Sequence, residues 1–85
     1  MPSGKDAPPY APPTKRSVLI AGHPTSISLE PMFWKALEEA ARERGLPANA
    51  LVAEIDAERL SSRPPPNLTS AIRQWLFARQ RGSRA

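Results

Sequence analysis

The feature that most constrains the fold of this chain is a five-residue segment of alternating hydroxyl and aliphatic side chains, Thr25-Ser26-Ile27-Ser28-Leu29. Because strand side chains alternate between faces, Ile27 and Leu29 share a core face while Ser26 and Ser28 share the opposite one. One short strand leaves unpaired amides and carbonyls along both edges, so another strand must pair with it. The nearest candidate is the same strand of a second chain, which predicts a two-stranded ribbon in a homodimer.

A second strand is predicted upstream, at residues 15–21, where the sequence KRSVLIA is rich in β-branched and aliphatic side chains. The triplet Gly22-His23-Pro24 interrupts it, because glycine permits a positive φ and proline removes a backbone donor. Two arrangements are open: a hairpin within one chain, or one long bent strand whose ends pair with different partners. A triplet that ends in proline makes a poor tight turn, which favours the bend. Whether residues 17–21 pair within or between chains stays open.

Two amphipathic helices are predicted after the alternating strand. Pro31 suits the first position of a helix, and Glu30 places negative charge beside the N-terminal amides. This helix ends before Gly45, for which we expect a left-handed conformation, with Leu46 packing back as the following apolar contact. Its apolar stripe consists of Phe33, Leu37, Ala40 and Ala41, with Trp34 beside the stripe and available to a partner chain.

Proline marks the bounds of the second helix. Pro47 blocks continuation of the first helix and favours a new one over residues 48–60, and the three prolines at 64–66 end it. Leu51, Val52 and Ile55 form its buried face. A third helix begins near Asn67 or Thr69, either of which suits an N-cap, and it fades into a basic tail. Its apolar stripe consists of Leu68, Ala71, Ile72, Trp75 and Leu76.

Composition divides the 85 residues into three parts. Residues 1–14 are rich in proline and predict a disordered or polyproline II arm, residues 15–78 the folded domain, and residues 79–85 a basic tail. A domain of this size is near the lower limit for burying a sufficient core, and the chain has no cysteine for a disulfide. Dimerisation is the remaining source of stability.

The formal net charge is +4, which favours polyanionic partners. The charge is uneven: the middle, residues 30–60, is net acidic and both ends are net basic, so a DNA-binding face must come from the ends and the strand. The simplest alternative is that these charges only keep a small dimer in solution. No apolar run suits a membrane span or a signal peptide, so we expect a cytoplasmic protein that does not bind membranes.

The residues offer no catalytic constellation. His23 is the single histidine, with no cysteine or fixed carboxylate near it, so a turn histidine is favoured over a metal ligand or general base. Ser26 and Ser28 lack the patterns that surround nucleophilic serines. The four scattered glycines do not form a nucleotide loop. We therefore expect neither enzymatic activity, nor a metal, nor a cofactor.

The segment TSISLEPMFWKALEEAARERGLPANALVAEI resembles the ribbon-helix-helix family of DNA-binding proteins, of the Arc and MetJ type. With KRSVLIAGHP before it and NLTSAIRQWL after it, the chain is similar to a bacterial branch of that family that has an extended N-terminal strand and a third helix. The resemblance covers about residues 15–78. It implies a mainly α-helical, intertwined homodimer with a short β-ribbon.

The resemblance also implies roles for particular residues. Pro24, Ser26 and Ser28 would project into the DNA major groove, although Pro24 stands where many relatives have a basic residue. Pro47, Ala48 and Asn49, at the start of the second helix, would hold a phosphate through their amides, with Pro47 in place of the usual Ser or Thr cap. Lys15 and Arg16 would add phosphate contacts. The dimer core would comprise Ile27, Leu29, Phe33, Trp34, Leu37, Leu51 and Ile55.

Two functions from different classes fit these observations. The first is a homodimeric transcriptional regulator, a repressor, that inserts its ribbon into double-stranded DNA. The second is a ribbon-helix-helix module for protein interaction, an antitoxin or accessory subunit, whose C-terminal helix binds a partner through Trp75 and Phe77. A membrane-surface or RNA-binding tail is disfavoured, because the tail arginines do not form a dense basic face with interleaved aromatic residues.

Overall fold

The computed structural model describes residues 10–82 and contains a two-stranded antiparallel sheet followed by three helices. The elements are β1 (Thr14–Ile20), β2 (His23–Leu29), α1 (Pro31–Glu43), α2 (Ala48–Arg59) and α3 (Leu68–Gly82). Of the predicted arm, residues 1–9 lie outside the described residues and Thr14 already belongs to β1. The predicted basic tail is helical as far as Gly82, and its last three residues lie outside the described part.

The two strands form a hairpin within one chain. Their antiparallel register pairs Ile20 with His23 next to the turn and extends along both strands to Thr14 and Leu29. The turn is Ala21-Gly22, and both residues have positive φ, 53° and 82°. Two consecutive positive φ values are the signature of the type I′ turn, whose twist matches that of paired strands.

The predicted bend is therefore wrong: residues 17–20 pair within the chain, and Ala21 belongs to the turn. The turn begins one residue earlier than predicted and is one residue shorter, so His23 and Pro24 form the start of β2 instead of the turn. Pro24 is tolerated there because β2 is an edge strand, where a missing N–H need not break the ladder. Within the chain, β1 pairs with one edge of β2.

One hydrophobic core draws on all five elements. Val18 of β1 and Ile27 and Leu29 of β2 turn their side chains onto the helices. From the helices come Trp34, Leu37, Ala40, Ala41, Leu51, Val52, Ile55, Ala71, Ile72 and Leu76. The buried faces predicted for β2 and α2 are confirmed, and all of these side chains are enclosed without a second chain.

The apolar stripe of α1 differs from the prediction at its first turn. Trp34 is buried in its own chain, whereas Phe33 is only partly buried. The Trp34 indole nitrogen Nε1 donates a hydrogen bond of 2.8 Å to the carbonyl oxygen of Thr14. Because this donor is satisfied by β1, the indole fills the space beneath the first residues of the hairpin and attaches β1 to α1.

The turn between α1 and α2 has the conformation expected for Gly45, whose φ is +68°. The amide of Leu46 donates to the Ala41 carbonyl (2.9 Å) and the amide of Gly45 to the Arg42 carbonyl (3.0 Å). These two bonds make a Schellman motif, which satisfies carbonyls at the end of α1 and reverses the chain direction. Pro47 then stands in the N-cap position of α2.

Helix α3 closes the side of the core that α1 and α2 leave open, and it packs most closely on α2. Its N-cap is Asn67, whose Oδ1 accepts a 2.8 Å hydrogen bond from the Ser70 amide. Ala71, Ile72 and Leu76 are buried, and Trp75 is partly buried against the core. The third helix is thus part of the folded unit rather than an appendage.

Replacement of Ile72 by alanine tests this role of α3. Ile72 is fully buried, so Ile72→Ala is expected to lower the free energy of unfolding by about 2–5 kcal/mol, through lost apolar burial and a cavity. Phe77→Ala on the same helix is the control, since Phe77 is 62% exposed and its loss should cost less than about 0.5 kcal/mol. Urea unfolding measures both. Equal stability of the two variants would show that α3 does not complete the core.

Candidate nucleic-acid interface

The candidate site is the face of the hairpin that points away from the helices, here called the outer face. Alternation along the two strands directs three side chains of each strand to this side. The antiparallel register sets them opposite one another in three cross-strand pairs. These pairs are Lys15 with Ser28, Ser17 with Ser26, and Leu19 with Pro24.

The outer face combines the three predicted base-contacting residues with three from β1. Pro24, Ser26 and Ser28 lie on it together, as the alternation predicts. Sequence reasoning missed Ser17 and Leu19, because the favoured bend did not pair β1 with β2. The signal that identifies them is the two-residue turn, since turn length fixes hairpin register and hence every cross-strand pair.

The polar groups of the outer face are available to a ligand. Ser17 and Ser26 are exposed and Ser28 is half-buried. Within residues 10–82, no hydrogen bond engages these three hydroxyls and no carboxylate pairs with Lys15. A hydroxyl donates and accepts, and an ammonium attracts anions, so the face has three adaptable hydrogen-bonding groups beside one positive charge.

Arg16 lies on the opposite side of β1 from Lys15, toward the helices. Its guanidinium carbon stands 4.6 Å from the centre of the Trp34 ring, and its Nη1 atom is 2.8 Å from Oε2 of Glu38. The Trp34 ring face and the Glu38 carboxylate therefore compensate part of the positive charge of Arg16. The structure therefore separates the two predicted phosphate contacts: Lys15 lies on the outer face and Arg16 does not.

The start of α2 has the free amides that an anion site needs. The Pro47 carbonyl accepts hydrogen bonds from the amides of Ala50 (3.0 Å) and Leu51 (3.2 Å), and no side chain caps the helix. Ala48 and Asn49, as the first two helical residues, have amides without an intrahelical acceptor. Pro47 itself contributes no amide, so the predicted phosphate site reduces to two donors and the helix dipole.

An ion pair fastens α3 to the junction between β2 and α1. Arg73 donates to both carboxylate oxygens of Glu30, from Nη2 at 2.9 and 3.1 Å and from Nε at 3.2 Å. The pKa of Glu30 is lowered, first by a hydrogen bond from its own backbone N–H and then by the Arg73 hydrogen bond, whereas desolvation acts in the opposite direction. Glu30 is the N-cap of α1 and directly follows β2, so this ion pair connects α3 to the open end of the hairpin.

The acidic middle of the chain compensates arginines from other elements. Two arginines of α3, Arg73 and Arg79, pair with Glu30 and Glu43. The remaining ion pairs are Arg16 with Glu38, Arg44 with Glu54, and Arg59 with Asp56. Arg81 lies 5.8 Å from the Phe77 ring centre. Much of the positive charge that the sequence suggested for DNA is thus engaged in ion pairs within the chain, which raises the relative importance of Lys15.

Other chemistry finds little support in the part of the chain that the structure describes. Residues 10–82 contain no cluster of three or more histidine, cysteine, aspartate or glutamate side chains that would hold a metal ion. His23 stands at the turn end of β2 and is exposed. None of the described helices combines the length and apolar character needed to span a membrane.

Comparison with known proteins assigns the fold to a family. The sequence profile of the ribbon-helix-helix domain matches residues 13–79, which covers both strands, the first two helices and most of α3. The chain belongs to the ribbon-helix-helix domain family. No curated protein and no solved structure gives a significant match. The family is a non-enzymatic, DNA-binding fold whose domains typically dimerise, so the chain is in general a DNA-binding or regulatory ribbon-helix-helix protein.

The Glu30–Arg73 pair makes stability depend on pH. Because the pKa of Glu30 is lowered by folding, its carboxylate stabilises the protein above the ordinary value of 4.5, and this contribution is lost as pH falls through the lowered pKa. Glu30→Gln should therefore lower the urea midpoint at neutral pH and match the wild type in strong acid. Glu39→Gln, which removes a carboxylate that has no ion pair within residues 10–82, should change the midpoint little. A deficit of Glu30→Gln that persists in strong acid would contradict the ionic account.

Proposed function

We propose that this protein is a homodimeric transcriptional repressor that acts in the bacterial cytoplasm and reads double-stranded DNA with the outer face of its hairpin. One observation carries the proposal: the register of the hairpin gathers Lys15 and three unengaged serine hydroxyls on one exposed face. Membership of a DNA-binding family supports it. That the DNA is an operator and that binding represses transcription is the finer part of this proposal.

The dimensions of the hairpin suit a major groove. Neighbouring strands lie about 4.8 Å apart, and the groove is about 12 Å wide, enough for a two-stranded ribbon. Ser26 and Ser17, which form the central pair, would face base edges. Lys15 would reach a phosphate at the open end of the hairpin, and the amides of Ala48 and Asn49 would bind a second phosphate. In the dimer proposed below, the two central strands are the β2 strands of the two chains, with β1 of each chain beside its own β2.

The homodimer remains part of the proposal. β2 pairs with β1 along one edge, and no strand among residues 10–82 covers its other edge. An unpaired seven-residue edge is a template for a further strand, and a second copy of β2 would pair with it antiparallel about a two-fold axis. We expect two chains on each DNA site, which sedimentation of the complex measures.

The experiment that tests the function is selection from a randomised duplex pool, followed by affinity measurements. An enriched site is expected, and the double variant Ser26→Ala/Ser28→Ala should bind it about thirtyfold more weakly, since two hydrogen bonds contribute about 1 kcal/mol each. Its affinity for random DNA should be unchanged, because phosphate attraction does not use these hydroxyls. Ser62→Ala, in the exposed connection between α2 and α3, is the control and should behave as the wild type. Equal loss on selected and random DNA would contradict base reading by the serines.

A second measurement addresses the phosphate contact of Lys15. Lys15→Gln should weaken binding to all sequences and reduce the slope of log affinity against log salt concentration by about one. Lys35→Gln removes the same charge from the exposed side of α1 and should leave the slope unchanged. If the two variants shift the slope equally, net charge rather than the outer face governs binding.

A protein-interaction module, such as an antitoxin or accessory subunit, is the second candidate. It is favoured by a groove of about 400 Å³ between α1 and α3, lined by Met32, Phe33, Ala36, Glu39, Leu76, Phe77, Arg79 and Gln80. Met32 and Phe77 are both exposed there. Removal of α3 is not a clean test, because Ile72 and Leu76 belong to the core. The pool selection discriminates: affinity set by salt alone, without an enriched site, favours the interaction module.

A further inference from the structure

We infer that the groove between α1 and α3 binds the same groove of a second copy of this chain, with Glu39 of each copy paired to Arg81 of the other. This contact is separate from the edge of β2 and does not depend on DNA binding. It joins two of the proposed dimers into a tetramer.

The groove presents apolar surface that the core of the protein does not use. Its floor is formed by Phe33, Ala36 and Leu76, which pack against the core. Met32 on α1 and Phe77 on α3 stand on its two walls and are 55% and 62% exposed. Exposed apolar side chains that share one concave surface, with polar residues at its margin, are typical of a protein-binding site.

Ion pairs at the two ends of the groove show how α1 and α3 are aligned. Glu30, which caps α1, pairs with Arg73 in the first half of α3, and Glu43 at the end of α1 pairs with Arg79 in the second half. The two helices therefore run in the same direction along the groove. Because these charges compensate one another within the chain, they offer little to a partner.

Two charges beside the groove have no such compensation. Glu39 lines the α1 wall and is exposed, with no ion pair among residues 10–82. Arg81 lies next to Phe77 on α3, and in the same part of the chain no carboxylate pairs with it. The groove thus has a free negative charge on one wall and a free positive charge on the other, so a polyanion does not complement it.

A second copy of the chain supplies the complementary surface. Because α1 and α3 run in the same direction, a two-fold axis parallel to the groove sets α1 of each copy opposite α3 of the other. Glu39 of one copy then faces Arg81 of the other, and this pair occurs twice in the contact. Met32 and Phe77 of both copies are buried between the two ion pairs.

The contact is small, so we expect it to be weak. Two exposed apolar side chains and two exposed charges per copy bury less than the roughly 1,200 Å² at the lower limit of a standard-size interface. Exposed ion pairs also contribute little each. We expect association only in concentrated solution, on the order of 100 μM chain, so that dilute samples do not contain it.

Sedimentation equilibrium of the full chain without DNA, over a series of concentrations, tests the inference. The wild type should show an association step in concentrated solution that doubles its mass, from two chains to four where the β2 edges pair as proposed. Phe77→Ala should weaken that step by about tenfold or more, because it removes a buried ring from both sides of the contact. Leu60→Ala is the matched control: Leu60 is 58% exposed but does not line the groove, so this variant should associate like the wild type.

Charge reversal identifies the surface that the groove binds. Glu39→Arg should weaken the association step about tenfold, because two attractive pairs become repulsive, and Arg81→Glu should do the same. The double variant Glu39→Arg/Arg81→Glu should restore wild-type association, since each copy then presents both charges in exchanged places. Circular dichroism confirms that each variant is folded, as expected for exposed positions.

The outcomes separate this inference from the proposed function. A wild type whose mass does not double in concentrated solution overturns the inference, and so does a double variant that associates as weakly as the single ones. Wild-type association of Phe77→Ala overturns it as well. Failure to enrich a DNA site removes the proposed function without affecting this contact.

Discussion

Antiparallel pairing of β1 with β2 is the interaction on which the rest of the structure depends. It satisfies one edge of the alternating strand within the chain and turns Val18, Ile27 and Leu29 onto the helices. The same pairing gathers side chains of both strands on the outer face. A tight turn with two positive φ values fixes the register, so a local backbone conformation determines both the core and the candidate site.

Helix α3 and the acidic residues in and next to α1 connect the hairpin to the helices. α3 buries Ile72 and Leu76 in the core, and its Arg73 reaches Glu30 at the end of β2. Such a partly exposed pair contributes modestly to stability and links α3 to the junction between β2 and α1. Carboxylates of Glu30, Glu38 and Glu43 compensate three arginines, whereas Lys15, beside the serines, has no ion pair among residues 10–82.

Sequence reasoning predicted the helices well because their signals are local. Gly45, Pro47 and Asn67 act within one turn of their own positions, and the apolar spacing of α2 was sufficient to identify its buried face. It was wrong at the hairpin turn, where Ala21 adopts a positive φ that alanine rarely adopts. That one-residue difference hid the pairing of Ser17 with Ser26 and the exposure of Leu19. Trp34 was misplaced for a related reason, since its hydrogen-bond partner at Thr14 is distant in the sequence.

Pro24 also has a consequence for how the sheet can grow. Ile20 and His23 close the two-residue turn as a hydrogen-bonded pair. Backbone hydrogen bonding alternates along an antiparallel strand, so the nitrogens of Pro24, Ser26 and Ser28 point to the edge of β2 that does not face β1. Ser26 and Ser28 offer an N–H there, but Pro24 offers none. An incoming strand therefore finds donors only in the half of the edge nearest α1. A strand that pairs in a register extending past the turn would lack one hydrogen bond at Pro24. This disfavours the continued addition of hairpins into filaments.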